Sequence, residues 1–314
     1  MGAVGILNNP RALRNRRRPE TRERLRTLLG GEGEIVDAAT PDELEQAVET
    51  FRKARIDVLG ILGGDGTTHL ALTAVTRAWG GHPLPALLPL RGGGMNTVAR
   101  GHRIRGSPER ILREVLRRRR AGVPLRTVDR DLLEVTPDGE IPSHGFIFGT
   151  GAVVAFLDAC FRTGRPTPAT NAWLLVVAAV SALWGGNFAG VLNRRERLRV
   201  TSDGDLWPDE HYLAFLAGST PQIGFGVRAF SRFDEQPGFF HAVGVTAGIR
   251  QVAMALPAIH GGAPWRRRIA LDEVARAVVL EGESIRYTVD GDLYAARRTV
   301  RVATGPTLPI VLPW

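Results

Sequence analysis

Along the first third of the chain, short apolar runs alternate with longer amphipathic stretches. Val4 to Leu7 is apolar and ends at Asn8-Asn9-Pro10, the pattern of a buried strand entering a turn. Pro19 to Leu29 interleaves arginines with apolar positions and stops at Gly30-Gly31, which predicts a helix with a glycine terminator. Glu34 to Asp37 predicts a second short strand. Thr40-Pro41-Asp42-Glu43 then reads as a helix start: Thr40 can cap, Pro41 suits the first helical position, and two acids face the positive helix end. Ile56 to Leu62 predicts a third, buried strand, followed by Gly63-Gly64-Asp65-Gly66-Thr67 and a helix to about Trp79. Leu84 to Leu90, interrupted by proline, predicts a fourth strand before Gly92-Gly93-Gly94-Met95-Asn96 and another helix. Ser107-Pro108-Glu109 opens a further helix that carries Arg117 to Arg120. Strands alternating with helices imply a parallel sheet covered on both faces.

After about residue 125 the pattern changes. Segments become short and β-rich, punctuated by Asp138-Gly139, Asp203-Gly204 and Asp290-Gly291, and Arg276 to Val302 reads as strand, turn, strand, turn, strand. A second, largely antiparallel domain is expected. The first domain is assigned to 1–125, with 303–314 a candidate to complete it, and the second to 126–302. Ala172 to Trp184 is the most apolar segment, flanked by Arg162, Arg165, Arg194, Arg195 and Arg197. As a helix it is about 20 Å long, short of the ~30 Å hydrocarbon core, so it cannot span a bilayer. It reads as a buried or an interfacial helix with Trp173 and Trp184 at a membrane surface; of the two, the core helix is expected.

Composition narrows the class. The 314 residues are 44% hydrophobic and 23% charged, with a mean hydropathy of −0.06, which excludes a disordered chain and a polytopic membrane protein. The single cysteine, Cys160, excludes a disulfide scaffold and fits a reducing compartment. No secretory signal pattern opens the sequence, so a cytoplasmic location is expected. The formal net charge is +9, and Lys53 is the sole lysine among 41 cationic residues. Arginines cluster at 11–18, 117–120 and 266–268. Such clusters attract phosphates on a nucleotide, a nucleic acid or an anionic membrane; solvated helix ends are the plainer explanation for 117–120.

The glycine turns carry the candidate chemistry. Gly63-Gly64-Asp65-Gly66-Thr67 sits between a buried strand and a helix N-terminus, where glycines allow close backbone approach and free N–H groups bind anions. Gly92 to Gly94 has the same setting, and two such loops at neighbouring strand ends would line the crevice where open α/β sheets bind ligands. Neither is a P-loop or a GxGxxG turn. The competing reading is a pair of tight turns that need positive φ. Asp290-Gly291 is also what a two-residue hairpin demands.

Ile61-Leu62-Gly63-Gly64-Asp65-Gly66-Thr67 resembles the signature of the diacylglycerol kinase catalytic domain, shared by bacterial lipid kinases and sphingosine kinases. Asn9-Pro10, Thr40, the block Leu90 to Arg100, and Val289-Asp290-Gly291-Asp292 resemble further motifs of that family in order and spacing. The resemblance implies an N-terminal α/β nucleotide-binding domain, a C-terminal β-sandwich-like lipid-substrate domain, and ATP- and Mg²⁺-dependent transfer of a γ-phosphoryl group to a lipid hydroxyl. It implies that Asn9, Thr40, Gly63, Gly64, Asp65, Gly66, Thr67, Gly93, Gly94 and Asn96 hold the nucleotide. Asp65 and Asp290 would meet the metal, Asp65 acting catalytically beside Asp292, which would accept the hydroxyl proton. Arg17 or Arg91 is a candidate for charge neutralisation.

This chain departs from the family pattern at Arg11-Ala12, at His69 and Leu70, at Gly94 in place of a threonine, at Pro237, and at Asp292 in place of a glutamate. The expected partner is a lipid of the diacylglycerol or sphingoid-base class at an anionic membrane surface, reached by peripheral association. A homodimer is a further candidate, and no nucleic acid is expected. The alternatives are a silent nucleotide- or lipid-binding homologue and a soluble kinase of the NAD kinase type.

Overall fold

The computed structural model describes residues 2–163 and 167–314. The chain divides into two compact units, Met1–Arg130 with Pro306–Trp314, and Asp131–Gly305.

In the first unit the order is β1 (Ala3–Asn8), α1 (Leu13–Arg17), α2 (Glu20–Leu29), β2 (Gly33–Asp37), α3 (Pro41–Lys53), β3 (Ile56–Leu62), α4 (Asp65–Trp79), β4 (Ala86–Pro89), α5 (Thr97–Gly101) and α6 (Pro108–Arg120). α3 begins where its caps predict: Thr40 Oγ1 accepts the Glu43 N–H while Glu43 accepts the N–H groups of Ala39 and Thr40. Its buried Leu44, Ala47, Val48 and Phe51 fall on one helical face. The strands are parallel in the order β2-β1-β3-β4, and near the C-terminus Ile310 pairs in parallel with Leu87. From β1 the chain moves outward to β2 and then returns to β3 on the other side. The strand order therefore reverses at the β1/β3 boundary, the switch point at whose carboxyl ends open α/β sheets bind ligands.

Strand β5 (Arg126–Pro137) leads into the second unit, which contains β6 (Ser143–Gly145), β7 (Ile147–Thr150), α7 (Ala152–Arg162), α8 (Pro168–Trp184), α9 (Asn187–Leu192), β8 (Glu196–Arg197), β9 (Arg199–Ser202), β10 (Asp205–Leu206), β11 (His211–Tyr212) and β12 (Ala214–Gly218). Then follow β13 (Phe240–Val245), α10 (Ile249–His260), β14 (Ala270–Ala275), β15 (Ala277–Glu281), β16 (Ile285–Val289), β17 (Asp292–Ala296) and β18 (Thr299–Leu312). A six-stranded antiparallel sheet runs β14-β13-β12-β7-β16-β17. A second antiparallel layer joins β10, β9, β15 and the start of β18. Both layers feed one core, in which Phe148, Phe215 and Tyr287 meet Val200, Val278 and Val302, so the unit is a sandwich.

All three Asp-Gly pairs have positive φ at both residues. Asp203-Gly204 and Asp290-Gly291 close two-residue hairpins, whereas Asp138-Gly139 lies in a longer connection.

One expectation fails here, and one open choice is settled. The helix at 168–184 is not a core helix: among its described residues only Ala178 and Ala182 are buried, and Trp173, Val176, Val180 and Trp184 face solvent. The reason lies in its neighbours, since α8 packs only along its small-residue side, against α7, α9 and α10. Arg165, one of its expected flanking cations, lies outside the described residues. Of the two readings of Arg117–Arg120, the helix end with acidic partners holds rather than an open phosphate-attracting surface. Glu114 pairs with Arg117 and Arg118, Asp57 with Arg119, and Glu32 with Arg120.

Candidate functional site

Three loops leave the carboxyl ends of β1, β3 and β4, and polar contacts join them. Asn15, buried on α1, directs Nδ2 at Asn8 Oδ1 (2.9 Å), the Asn9 carbonyl (2.7 Å) and the Leu62 carbonyl (2.9 Å). Asn9 donates from Nδ2 to Thr67 Oγ1 at 2.8 Å, and its Oδ1 accepts the Arg11 N–H. The Arg14 N–H reaches the Gly92 carbonyl at 3.0 Å. The loop after β1 is thereby tied to both glycine loops.

The glycine loops touch each other directly. A Cβ on Gly93 would collide with the Gly64 Cα, and one on Gly92 would stand 2.7 Å from the Gly63 nitrogen. None of Gly63, Gly64, Gly66, Gly92, Gly93 or Gly94 has positive φ; Arg91 and Asn96 do. The turns therefore do not need glycine for left-handed backbone. They need it at Gly92 and Gly93 because backbone packs on backbone. At Gly63 the crowding comes instead from the Thr67 side chain, 2.5 Å from where a Cβ would stand.

Asp65 bolts this junction. Its Oδ1 accepts the Thr97 N–H at 2.7 Å and its Oδ2 lies 3.3 Å from Thr97 Oγ1, so the first residue of α4 caps α5. Burial pushes the Asp65 carboxyl above its usual pKa, opposed by the Thr97 and Asn96 main chain and by the charge of Arg100. Asn96 folds back on its own loop, accepting the Gly93 N–H at 3.0 Å and donating to the Gly93 carbonyl at 2.9 Å. α4 itself starts at Gly64 with no side-chain cap, so no capping side chain takes up its first-turn N–H groups. Gly64, Asp65, Gly66, Gly93 and Gly94 are all half-buried around this opening, with Gly63 and Thr67 buried beneath.

Three guanidinium groups stand close to the same loops. The nearby charges of Arg100 and Arg14, with burial as the larger cause, hold the Arg91 pKa below its ordinary value. Arg91 donates to the Gly106 carbonyl at 3.1 Å, and the Nε atoms of Arg14 and Arg91 are buried without a hydrogen-bond partner. Asp65 feels the charge of Arg100 and Glu109 that of Arg14, and a bound anion would offset what remains of this positive cluster. The sequence reading offers Arg17 or Arg91 for charge neutralisation and gives Arg14, Arg100, Asn15 and Thr97 no role. The one local signal is Asn15, an uncharged polar residue among the arginines of α1.

Of the remaining predicted residues, Thr40 belongs to the first unit and Asp290 and Asp292 to the second. Thr40 spends its hydroxyl on capping α3, and no hydrogen bond among the described residues ties it to the three loops. Asp290 directs its carboxylate to the N–H groups of Phe146 (3.1 Å) and Ile147 (2.9 Å). Asp138 and Asp203 hold the main chain of 297–299 and 276–277 in the same way. Asp292 opens β17 opposite Val289, half-buried, and its charge helps raise the Tyr294 pKa, for which burial is the main cause.

The metal assignment of Asp65 and Asp290 stays an expectation. Both commit carboxylate oxygens to the main chain, and among the described residues no group of three His, Cys, Asp or Glu could hold a metal by itself; one or two carboxylates with the phosphates of a nucleotide are the usual Mg²⁺ set. The residues at this opening do not form a closed metal cage. They do fit a polyanion, because an uncapped helix start and three arginines converge on loops without side-chain bulk.

The sequence of residues 3–128 matches the family model of the diacylglycerol kinase catalytic domain. No curated protein matches the chain. Among solved structures, a diacylglycerol kinase from Bacillus anthracis str. Sterne is similar at a TM-score of 0.65 and 12% identity, with 98% of this chain and 96% of that one covered. Another crystal structure from the same strain reaches 0.71 at 13% identity, covering 98% and 95%. Yeast NADH kinase complexed with NADH gives 0.51 at 13% identity, covering 99% and 83%. At these identities the structural likeness speaks for the fold, a mixed α/β arrangement with one parallel and one separate antiparallel sheet. It is the sequence match that points to a kinase-type domain: residues 3–128 of this chain are similar to the diacylglycerol kinase catalytic domain family.

Proposed function

We propose that the protein is an ATP-dependent phosphotransferase that phosphorylates a lipid hydroxyl, of the diacylglycerol or sphingoid-base class. The observation that carries the nucleotide half is the convergence of the uncapped α4 N-terminus with Arg14, Arg91 and Arg100 at the β1/β3 switch point. First-turn N–H groups at Asp65, Gly66 and Thr67 bind phosphate oxygens, and the arginines offset charge that builds on the bridging oxygen as the β–γ bond breaks. Asp65 acts as the positioning residue that holds the two loops at fixed separation. Gly64 and Gly93 keep the opening free of side chains, and Asn9 with Asn96 fixes its rim.

The lipid half rests on the family match and on the resemblance of Val289-Asp290-Gly291-Asp292 to the late family motif. Asp292 takes the proton from the acceptor hydroxyl as that oxygen attacks the γ-phosphorus, and ADP leaves. Asp290 sets the turn that presents it. The protein works in the cytoplasm as a peripheral membrane enzyme; among the described residues no helix is long and apolar enough to cross a membrane.

The test is incubation with γ-labelled ATP, Mg²⁺ and a mixed lipid extract. Label in the organic phase supports the lipid kinase, label in a water-soluble dinucleotide supports an NAD kinase-type activity, and no label with retained ATP binding leaves a silent homologue. Asp292→Asn lowers turnover far more than nucleotide affinity if Asp292 is the base; equal losses make it a turn residue.

A further inference from the structure

Within the second unit, α10 and the segment that follows it enclose a cleft of about 330 Å³, within the size range of ligand sites. Met254, Ala255, Ala258 and Trp265 are among its apolar lining residues, and Arg266 and Arg268 line it as well. Trp265 is locked in place by an Nε1–H bond to the Ala229 carbonyl at 2.7 Å. Arg266, Arg267 and Arg268 are exposed, and among the described residues none of the three has an ion-pair partner. An apolar slot edged by unneutralised guanidinium groups matches an amphiphile with an anionic head.

A second observation identifies where that amphiphile comes from. α8 packs against α10 and turns Trp173, Val176, Val180 and Trp184 to solvent, at successive spacings of three, four and four residues along one helical face. Met254 of α10 is exposed too. An apolar ridge with tryptophan near each end, on a helix packed against the one that lines the cleft, suits the headgroup boundary of an anionic bilayer and gives nucleic acid nothing to pair with.

We propose that this cleft receives one anionic phospholipid from the bilayer, with its phosphate on Arg266 and Arg268 and its first acyl carbons against Met254 and Trp265, and that α8 rests on the surrounding membrane. The site is built from residues of the second unit alone, and the nucleotide loops belong to the first. It draws on the lipid-kinase reading only in expecting a bilayer.

Flotation with phosphatidylcholine vesicles, with and without phosphatidylglycerol, tests it in the absence of nucleotide. Wild type floats with the anionic vesicles and not with the neutral ones. Arg266→Gln/Arg268→Gln lowers partitioning at least tenfold, since each cation near an anionic surface contributes several-fold. Met254→Asp, placing an anion in the slot, has the same direction. Arg117→Gln/Arg118→Gln removes equal charge elsewhere and floats as wild type. Equal binding to neutral vesicles, or wild-type flotation of the Arg266/Arg268 pair, overturns the proposal. Displacement by inorganic phosphate at matched ionic strength also overturns it, in favour of a soluble-phosphate site. Circular dichroism confirms that each variant is folded. Flotation without lipid phosphorylation would defeat the kinase reading and leave this site standing.

Discussion

Two runs of arginine, Arg117–Arg120 and Arg266–Arg268, look alike as sequence and differ in what surrounds them. Every member of the first has an acidic partner: Glu114 on its own helix, Asp57 on β3, and Glu32 before β2. The second has none among the described residues, and it borders a cleft lined by α10, against which the helix with the solvent-facing tryptophans packs. The first run is therefore neutralised by neighbouring carboxylates and the second is an outward-facing surface without them. The same contrast separates the two regions to which they belong. In the first unit the loops over the parallel sheet are closed against one another, glycine on glycine and carboxylate on amide. In the second, the helical layer leaves apolar and cationic groups without internal partners. A site that must position phosphates gains from rigid loops, whereas a surface that meets a bilayer gains from exposed apolar and basic groups.

The contrast can be broken experimentally, and the sharpest cut is at the loop junction. Gly93→Ala drives a methyl into the Gly64 backbone, which cannot yield as a flexible side chain would. It should lower unfolding free energy by about 3 kcal/mol and abolish nucleotide binding, read by denaturant melts and titration. A stable, binding-competent Gly93→Ala protein would mean that the two loops are not in contact.

Arg119→Ala comes next. Its side chain is only 8% exposed and bonds Asp57 and the Gly2 carbonyl. A loss of about 2 kcal/mol in a denaturant melt is expected, since a charged hydrogen-bonding group disappears and Asp57 is left behind.

A third, smaller effect follows from His102 at the end of α5. Burial, with Arg130 nearby, lowers its pKa from 6.5 to about 4, so the fold holds the ring neutral. A depressed histidine pKa means stability present above the unfolded value and lost progressively as pH falls from 6.5 toward 4. Between pH 7 and 5.5 the loss is about 1 kcal/mol, and it should vanish from the profile of His102→Gln. Identical profiles for the two proteins would place His102 in water.

The smallest effect belongs to the unpaired run. Arg267→Ala should change stability by less than about 0.5 kcal/mol, because no internal contact is removed. A larger change would show that the run has a structural partner after all.

Much of the local structure is legible from the chain. The limits of β3 and α4, the Thr40 cap and the positive-φ Asp-Gly turns are all set by residues within one or two turns of each other. Apolar periodicity, cap chemistry and turn geometry act over that range, so sequence order alone suffices. The GGDGT loop is legible as a candidate anion site for the same reason, since a strand, glycines and a helix start are contiguous.

What the glycines and charges are for was decided only by the fold. Gly93 meets Gly64, Asp65 meets Thr97 across 32 positions, and Arg119 meets Asp57 across 62. The exposed side of α8 was settled in the same way, by which helices pack beside it and which side of it they leave uncovered. Composition marks a residue as cationic or apolar, but whether that property is neutralised or left facing outward depends on partners brought together by chain folding, and no local pattern encodes them.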